Sequence, residues 1–309
     1  MTAPAWFTAA IATPHRTAEV AVAGATIRYL DAGPADAPVL VFVHGGTAHA
    51  HWWWPLAARL ADRYRLLLPN LSGHGTSDHR ADYSFDGWAE EVTAVLRAAA
   101  PGRPAIVIGH SIGGLAGMAL AAEHPDLVTA LIACDTQLAV NPDAPATRPS
   151  GSPKPVQSFA SVAEARSRFR TIPAQTECAG YVLDHIVPES LRPEADRWVW
   201  SFDRGILARF DQTVARLAWP WLRRLQCPLG YLRSEFGLTP PPIAARLEDE
   251  VSGPVIVEEV PGAGHHAMLD RPEELFAALD TVLGKLPGPN APRSDGSGRS
   301  RSATAQGEY

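Results

Sequence analysis

Ala105-Ile-Val-Ile-Gly-His-Ser-Ile-Gly-Gly-Leu-Ala-Gly117 decides the fold, because a β-branched run drops into a Gly-x-Ser-x-Gly turn and resumes as a helix of small residues. A strand that passes into a helix through so sharp a bend is a nucleophile elbow. Gly109 and Gly113 leave room for a turn too tight for larger residues, and Ser111 stands at its apex, at the carboxyl end of a buried strand. The same five-residue pattern also occurs in plain glycine-rich turns, so its weight comes from what surrounds it.

Upstream, residues 39–43 are apolar throughout, the mark of a strand covered on both faces in a parallel sheet, and they end in His44-Gly-Gly46. A short helix is expected around 6–11, and residues 18–22 and 25–30 alternate apolar and polar across Gly24, predicting an edge hairpin. A helix over 54–62 leads to a strand over 65–69 and a tight turn in Asn70-Leu-Ser-Gly-His-Gly-Thr-Ser77. Then come an amphipathic helix over 85–99, the elbow strand with its helix to about 124, and a strand over 127–134. Strand alternates with helix, which predicts a doubly wound α/β sheet.

From 137 the pattern changes. Residues 141–155 are rich in Pro, Ala and Ser, and helical stretches up to 225 carry Trp198, Trp200, Trp219 and Trp221, predicting an inserted helical lid over 137–225. The core segments are then 1–136 and 226–286, the second supplying strands over 228–232 and 255–260 and helices over 242–248 and 272–286. This totals a mostly parallel sheet of about eight strands with helices on both faces. The tail 287–309, dominated by Gly, Ser, Pro, Arg and Asp, lacks the apolar content to order itself.

With 309 residues, 46% hydrophobic and 19% charged, the chain reads as globular, and a net charge of −6 gives no footing for nucleic acid. The opening residues have no basic n-region and no apolar run is long enough to span a bilayer, so a soluble, cytoplasmic protein without a membrane partner is expected. Cys134, Cys178 and Cys227 are odd in number and far apart, which predicts reduced thiols rather than a disulfide framework.

A serine hydroxyl is a weak nucleophile near neutral pH and needs a base within hydrogen-bond reach, which in turn needs an orienting acid. His265 fits the base: Pro261-Gly-Ala-Gly-His265 sets it in a glycine-rich loop straight after a predicted core strand, whereas the adjacent His266 should point elsewhere. Two acids compete for the third place, Asp135 at the end of the strand after the elbow helix and Glu235 after the next core strand. Asp135 is preferred, since a buried strand end beside the elbow lets a carboxylate meet the far ring nitrogen of His265. The backbone N–H groups of Ile112 and Gly46 are the expected donors to a developing oxyanion. Trp52, Trp53 and Trp54 either wall an acyl pocket or pack their helix, with packing the default for at least two of them. His49-x-His51 lacks partners at ligand spacing, so no metal is expected. His74 and Asp78 are given structural roles in their turn.

These motifs, His44-Gly-Gly46, Ser72-Gly-His-Gly-Thr-Ser77, Gly109-His-Ser-Ile-Gly113 and Gly264-His265, in the order Ser, acid, His, resemble those of the α/β-hydrolase superfamily over about 19–286. The resemblance implies an eight-stranded sheet, no cofactor, and attack by Ser111 to give an acyl-enzyme that water resolves. It also shows two departures. Asn70 and Ser72 stand where the turn is usually written with Asp and Arg, and the Gly-x-x-Asp usual after the seventh strand has Ser234 and Gly237 in its glycine and acid positions. Polyketide chain-releasing thioesterases and dehalogenases of the superfamily are similar in placing the acid after strand six, as Asp135 would be. A serine nucleophile and a single lid tyrosine, Tyr181, argue against the epoxide hydrolases and dehalogenases themselves.

Hydrolysis of an ester or thioester is therefore the expected activity. Carbon-carbon bond or lactone hydrolysis is an alternative with the same side chains, and a non-catalytic ligand-binding protein an alternative of another class. Residues 137–225 hold twelve Arg and Lys against nine Asp and Glu, a contrast with the acidic chain that would suit an acyl carrier protein as the substrate's bearer; a small-molecule acyl substrate is the other expectation.

Overall fold

The computed structural model describes residues 2–138, 157–175, 177–206 and 214–286, so the stretch 141–155 and the tail 287–309 read above lie outside the described residues. Its strands, in chain order, are β1 (Arg16–Val22), β2 (Ala25–Ala32), β3 (Val39–Val43), β4 (Arg65–Pro69), β5 (Ala105–His110), β6 (Val128–Cys134), β7 (Ser158–Phe159), β8 (Leu191–Glu194), β9 (Arg197–Trp200), β10 (Leu229–Phe236) and β11 (Val255–Gly264). Eight of them form one sheet in the order β1-β2-β4-β3-β5-β6-β10-β11. Strand β2 runs antiparallel to β1 and β4, and the remaining pairs are parallel.

Alternation along the central strands explains why they read as unbroken apolar runs. Leu40, Phe42, Leu66, Leu68, Ile106 and Ile108 face one layer, under the helices Ala5–Ile11, Ala50–Ala57 and Pro272–Lys285. Val39, Val41, Val43, Leu67 and Val107 face the other, under Phe85–Ala99, Ile112–Glu123 and Ile243–Glu250. A strand covered on both sides has no use for polar residues, and each large aliphatic side chain so buried stabilises the fold by roughly 1.5–3 kcal/mol. Among the described residues no helix is long and apolar enough to cross a membrane.

Three local readings are corrected. The helix expected over 54–62 begins at Ala50 and ends as a 3₁₀ turn at Ala58–Leu60, carrying Pro55 inside it. Burial of Trp52, Trp53 and Trp54 together holds that segment helical, and Asn70 Oδ1 accepts the Ala50 N–H at 2.8 Å in place of a cap from His49. Strands β10 and β11 both run past the predicted 232 and 260. The insertion, read as helical, has helices at Val162–Arg168, Gly180–Glu189 and Val214–Leu222 but also a second sheet in which β9 pairs antiparallel with β7 and β8. Trp198 and Trp200 therefore sit on a strand. Their spacing of two is a strand period, which the tryptophan count concealed.

The turn after β4 rests on a group the apolar pattern did not announce. Glu91, on the helix Phe85–Ala99, is fully buried and accepts from the Ser72 N–H and from Arg80 Nε, both at 2.8 Å. Ser77 and Asp78 close the turn onto neighbouring backbone, Ser77 Oγ donating to Asn70 O at 2.6 Å and Asp78 accepting from the Thr26 N–H at 2.9 Å. Removing the carboxylate leaves the buried Ser72 N–H without its acceptor and takes one partner from the half-buried Arg80, so Glu91→Ala is expected to cost about 1–3 kcal/mol in urea unfolding. A loss below about 1 kcal/mol, the range of exposed pairs, would show that Glu91 does not hold this turn.

Candidate active site

Register brings two of the expected residues side by side. His110 at the end of β5 pairs with Cys134 at the end of β6, so Ser111 and Asp135 are the first residues beyond adjacent strand ends. Both turn out of the sheet with positive φ, 54° for Ser111 and 38° for Asp135, a strain of about 1–3 kcal/mol each that the surroundings must hold in place. The Ser111 N–H donates to Cys134 O at 3.0 Å and the Asp135 N–H to Leu232 O at 2.8 Å. The elbow needs its glycines for space: a Cβ on Gly109 would lie 2.4 Å from Gly113 O, and one on Gly113 2.3 Å from His44 O.

His265 arrives from the other direction. Between Ser234↔Val260 and Phe236↔Gly264 the register slips, so β11 carries two more residues than β10 and bends over the ends of the neighbouring strands. The imidazole then lies between the other two side chains, Nδ1 donating to Asp135 Oδ2 at 2.7 Å and Nε2 accepting from Ser111 Oγ at 3.2 Å. His265 and Asp135 are buried and Ser111 is half-buried at the elbow. Three hydrogen bonds clamp the backbone around His265. Gly264 N–H donates to Asp270 Oδ2 at 2.8 Å, His110 Nε2 to His265 O at 2.8 Å, and His266 N–H to Gln175 Oε1 at 2.9 Å.

Glu235, the alternative acid, lies elsewhere. It is exposed, and its Oε2 accepts from the Gly262 N–H at 2.7 Å, which holds the slipped segment of β11 rather than the imidazole. Asp135 Oδ2 receives a second donor, the Leu238 N–H at 2.9 Å. Gly237, whose missing carboxylate read as a gap, has a positive use: a Cβ there would lie 2.3 Å from Asp135 Oδ1 and 2.4 Å from Oδ2. The space an acid at 237 would fill is taken by the carboxylate from β6. Leu238 left no signal, since any residue but proline supplies a backbone donor.

Gly46 and Ile112 meet at the elbow, a Cβ on Gly46 lying 3.5 Å from the Ile112 Cδ1. Neither N–H is engaged by a protein acceptor among the described residues. The loop that presents Gly46 is anchored by His44, whose Nδ1 donates to Gly45 O at 2.8 Å while Nε2 accepts from the Leu71 N–H at 3.0 Å. That double role needs a neutral ring, and burial pushes the His44 pKa down to about 4. His266 does point away, its Nε2 donating to Ile172 O at 3.2 Å. Of the three tryptophans, Trp53 donates to Val43 O at 3.1 Å and Trp54 packs on His15, while Trp52 packs against His266 and Phe169. His49 donates from Nε2 to Ser190 Oγ at 2.7 Å, tying this helix to the insertion.

Burial keeps other histidines uncharged as well. It pushes His51 and His185 down to about 4 and His266 to about 3, and holds His49, His74 and His110 well below 6.5. In the unfolded chain each titrates near 6.5, so below that pH unfolding takes up protons and stability falls as pH drops through 6.5 toward 4. The urea midpoint is expected to hold steady above pH 7.5 and to fall steeply from pH 7 to 5, above the carboxylate range. A midpoint flat across that window would mean the rings are not held neutral. Gly237→Ala is expected to push Asp135 off His265, read as loss of the deshielded Nδ1–H proton signal in NMR; a retained signal would show that the carboxylate has other room.

Several known proteins are similar to this chain in sequence or in fold. The esterase Rv0045c of Mycobacterium tuberculosis is 28% identical over 260 residues, 80% of this chain and 83% of its own, and its crystal structure superposes with a TM-score of 0.69 over 91% of this chain and 97% of that one at 25% identity. The 2-(acetamidomethylene)succinate hydrolase of Mesorhizobium japonicum is 35% identical over 99 residues, 32% of this chain. The first three curated relatives are matched over only 35–42% of their own lengths. A thioesterase domain from the curacin biosynthetic pathway has a TM-score of 0.71 at 22% identity, over 88% of this chain and 99% of its own, a likeness of fold alone. A family model for the alpha/beta hydrolase fold matches residues 38–215, more than half of the sequence, and the chain belongs to that family.

Proposed function

We propose that the chain is a serine hydrolase that cleaves a carboxylic ester or thioester through an acyl-enzyme. One observation carries the reading: Ser111 Oγ, His265 and Asp135 form a continuous hydrogen-bonded line, at 3.2 and 2.7 Å, at the carboxyl edge of the sheet. As Oγ attacks the acyl carbon, His265 Nε2 takes its proton, and Asp135 stabilises the imidazolium through Nδ1–H. The oxyanion of the tetrahedral intermediate accepts from the N–H groups of Gly46 and Ile112. Collapse expels the alcohol or thiol, which leaves with the proton from His265, and water then enters by the same route to release the acid and free Ser111.

The esterase relative matched along most of its length supports an ester bond, and the named hydrolase relatives support hydrolysis in general. A non-catalytic binding protein has no need of a base clamped by three hydrogen bonds toward a strained serine. The cations of the insertion give little support to carrier docking. Among the described arginines, Arg166 pairs with Asp184, Arg168 with Glu164, Arg192 with Glu194, Arg223 with Glu250 and Arg224 with Glu123. A small-molecule acyl substrate is the reading the site favours.

A panel of p-nitrophenyl esters and acyl thioesters, run beside a fluorophosphonate label, tests the proposal. Ser111→Ala is expected to abolish labelling and cut kcat by about three to six powers of ten. Labelling that survives Ser111→Ala removes this serine from its role. Asp135→Asn is expected to lower kcat/KM by about 10³–10⁴, against a few-fold for Glu235→Gln, and the reverse ranking overturns the choice of acid.

A further inference from the structure

The peptide unit that follows His265 is held at its two ends by different parts of the chain. Its carbonyl oxygen accepts at 2.8 Å from Nε2 of His110, at the end of β5, and its N–H, that of His266, donates to Gln175 Oε1 at 2.9 Å, in the insertion. A peptide group is planar, so fixing both ends sets ψ of His265 and with it the direction of the imidazole. Without either partner that plane is free to turn.

Gln175 also fills the space beside the preceding residue. A Cβ on Gly264 would lie 2.8 Å from Gln175 Cδ and 3.2 Å from Asp270 Oδ2. The Gln175 Nε2 faces Glu177 O at 3.5 Å, which leaves Oε1 for the His266 N–H. Around it the insertion is laced to the same loop. Ile172 O accepts from His266 Nε2 at 3.2 Å, Glu177 pairs with Arg271 at 3.2 Å, and the Ala179 N–H donates to Leu269 O at 2.6 Å. Of these contacts, the one from Gln175 is made to the peptide that adjoins His265.

We propose that Gln175 is a positioning residue for His265, so that the insertion as well as the core sets the hydrogen-bonded line from Asp135 to Ser111. The Ser111 end is the sensitive one. Its Oγ and His265 Nε2 stand 3.2 Å apart, at the long end of the hydrogen-bond range, against 2.7 Å at the Asp135 end. A ring displacement of about 1 Å breaks the longer bond, and misplacement on that scale costs about a hundredfold in rate.

The kinetic half of the proposal rests on the serine-hydrolase reading; the structural half does not, and the test separates them. Gln175→Met keeps the length of the side chain and removes the acceptor, whereas Gln175→Glu keeps an oxygen in its place. Each full-length variant is followed by Tm, by the deshielded His265 Nδ1–H proton signal in NMR, and by ester turnover. Gln175→Met is expected to broaden or lose that signal in a folded protein and to lower kcat about ten- to a hundredfold, with KM changed less than about threefold. Gln175→Glu is expected to keep the signal and at least about a third of the wild-type kcat. In the wild type, the His266 amide is expected to be protected from deuterium exchange, a measurement that holds even if Gln175→Met fails to fold. A folded Gln175→Met protein with the signal intact and kcat within about twofold of wild type overturns the proposal. So does a Gln175→Glu protein as impaired as Gln175→Met, or a His266 amide that exchanges without protection. If Gln175→Met loses the signal while the wild type turns over no ester or thioester, Gln175 keeps its positioning role and the hydrolase reading falls.

Discussion

The site depends on one buried carboxylate and what surrounds it. Asp135 is 2% exposed, and its Oδ2 takes both of its described donors, the His265 Nδ1–H and the Leu238 N–H, while Oδ1 has none. A carboxylate removed from water and given two hydrogen bonds is under-solvated, and the most effective relief for it is a positive charge on the imidazole it already touches. In the proposed mechanism that charge appears when Ser111 gives up its proton. The fold thus places the stabilising partner of the imidazolium before the imidazolium forms, which is the general form of electrostatic preorganisation.

That carboxylate also explains why the loop after β10 has the sequence it has. Two chain positions point at one volume, the end of β6 and the residue at 237, and only one can carry a side chain into it: a Cβ at Gly237 would lie 2.3 Å from Asp135 Oδ1. With the acid at 135, glycine at 237 becomes a requirement rather than a loss. Glu235, two residues earlier, is then free for a mechanical task, holding the Gly262 N–H in the slipped segment that turns β11 toward the serine.

Much of this was legible in the sequence because it rests on backbone constraints with residue signatures. The elbow needs Gly109 and Gly113, a covered parallel strand needs an unbroken apolar run, and both announce themselves in the order of letters. The choice between Asp135 and Glu235 followed from burial at a strand end. What escaped reading was set by partners distant in the chain. The Leu238 N–H and the orientation of His110 toward His265 O have no local pattern, and neither does Asn70 acting as a cap for a helix that starts twenty residues earlier. In the insertion, the four tryptophans suggested helices, while the alternation through Arg197–Trp200 carried the weaker strand signal and the antiparallel partners lay on either side of it. A strand of four residues offers too few positions for its period to outweigh composition.

Ser111 and Asp135 therefore differ from His265 in how they are held. Ser111 and Asp135 sit one residue beyond paired strand ends, and their separation is fixed by the register of β5 on β6, a constraint shared with every hydrogen bond of that ladder. His265 stands beyond the last pair of β10 and β11, after a slip in register, and its position depends on side chains from three separate places: His110 on the elbow, Asp270 behind it, and Gln175 from the insertion. A lattice of backbone bonds tolerates the loss of one member better than three single side-chain bonds do. The weakest member of the line is His265, and because Gln175 belongs to the insertion, a displacement of that segment would move His265 before it moved the serine or the aspartate.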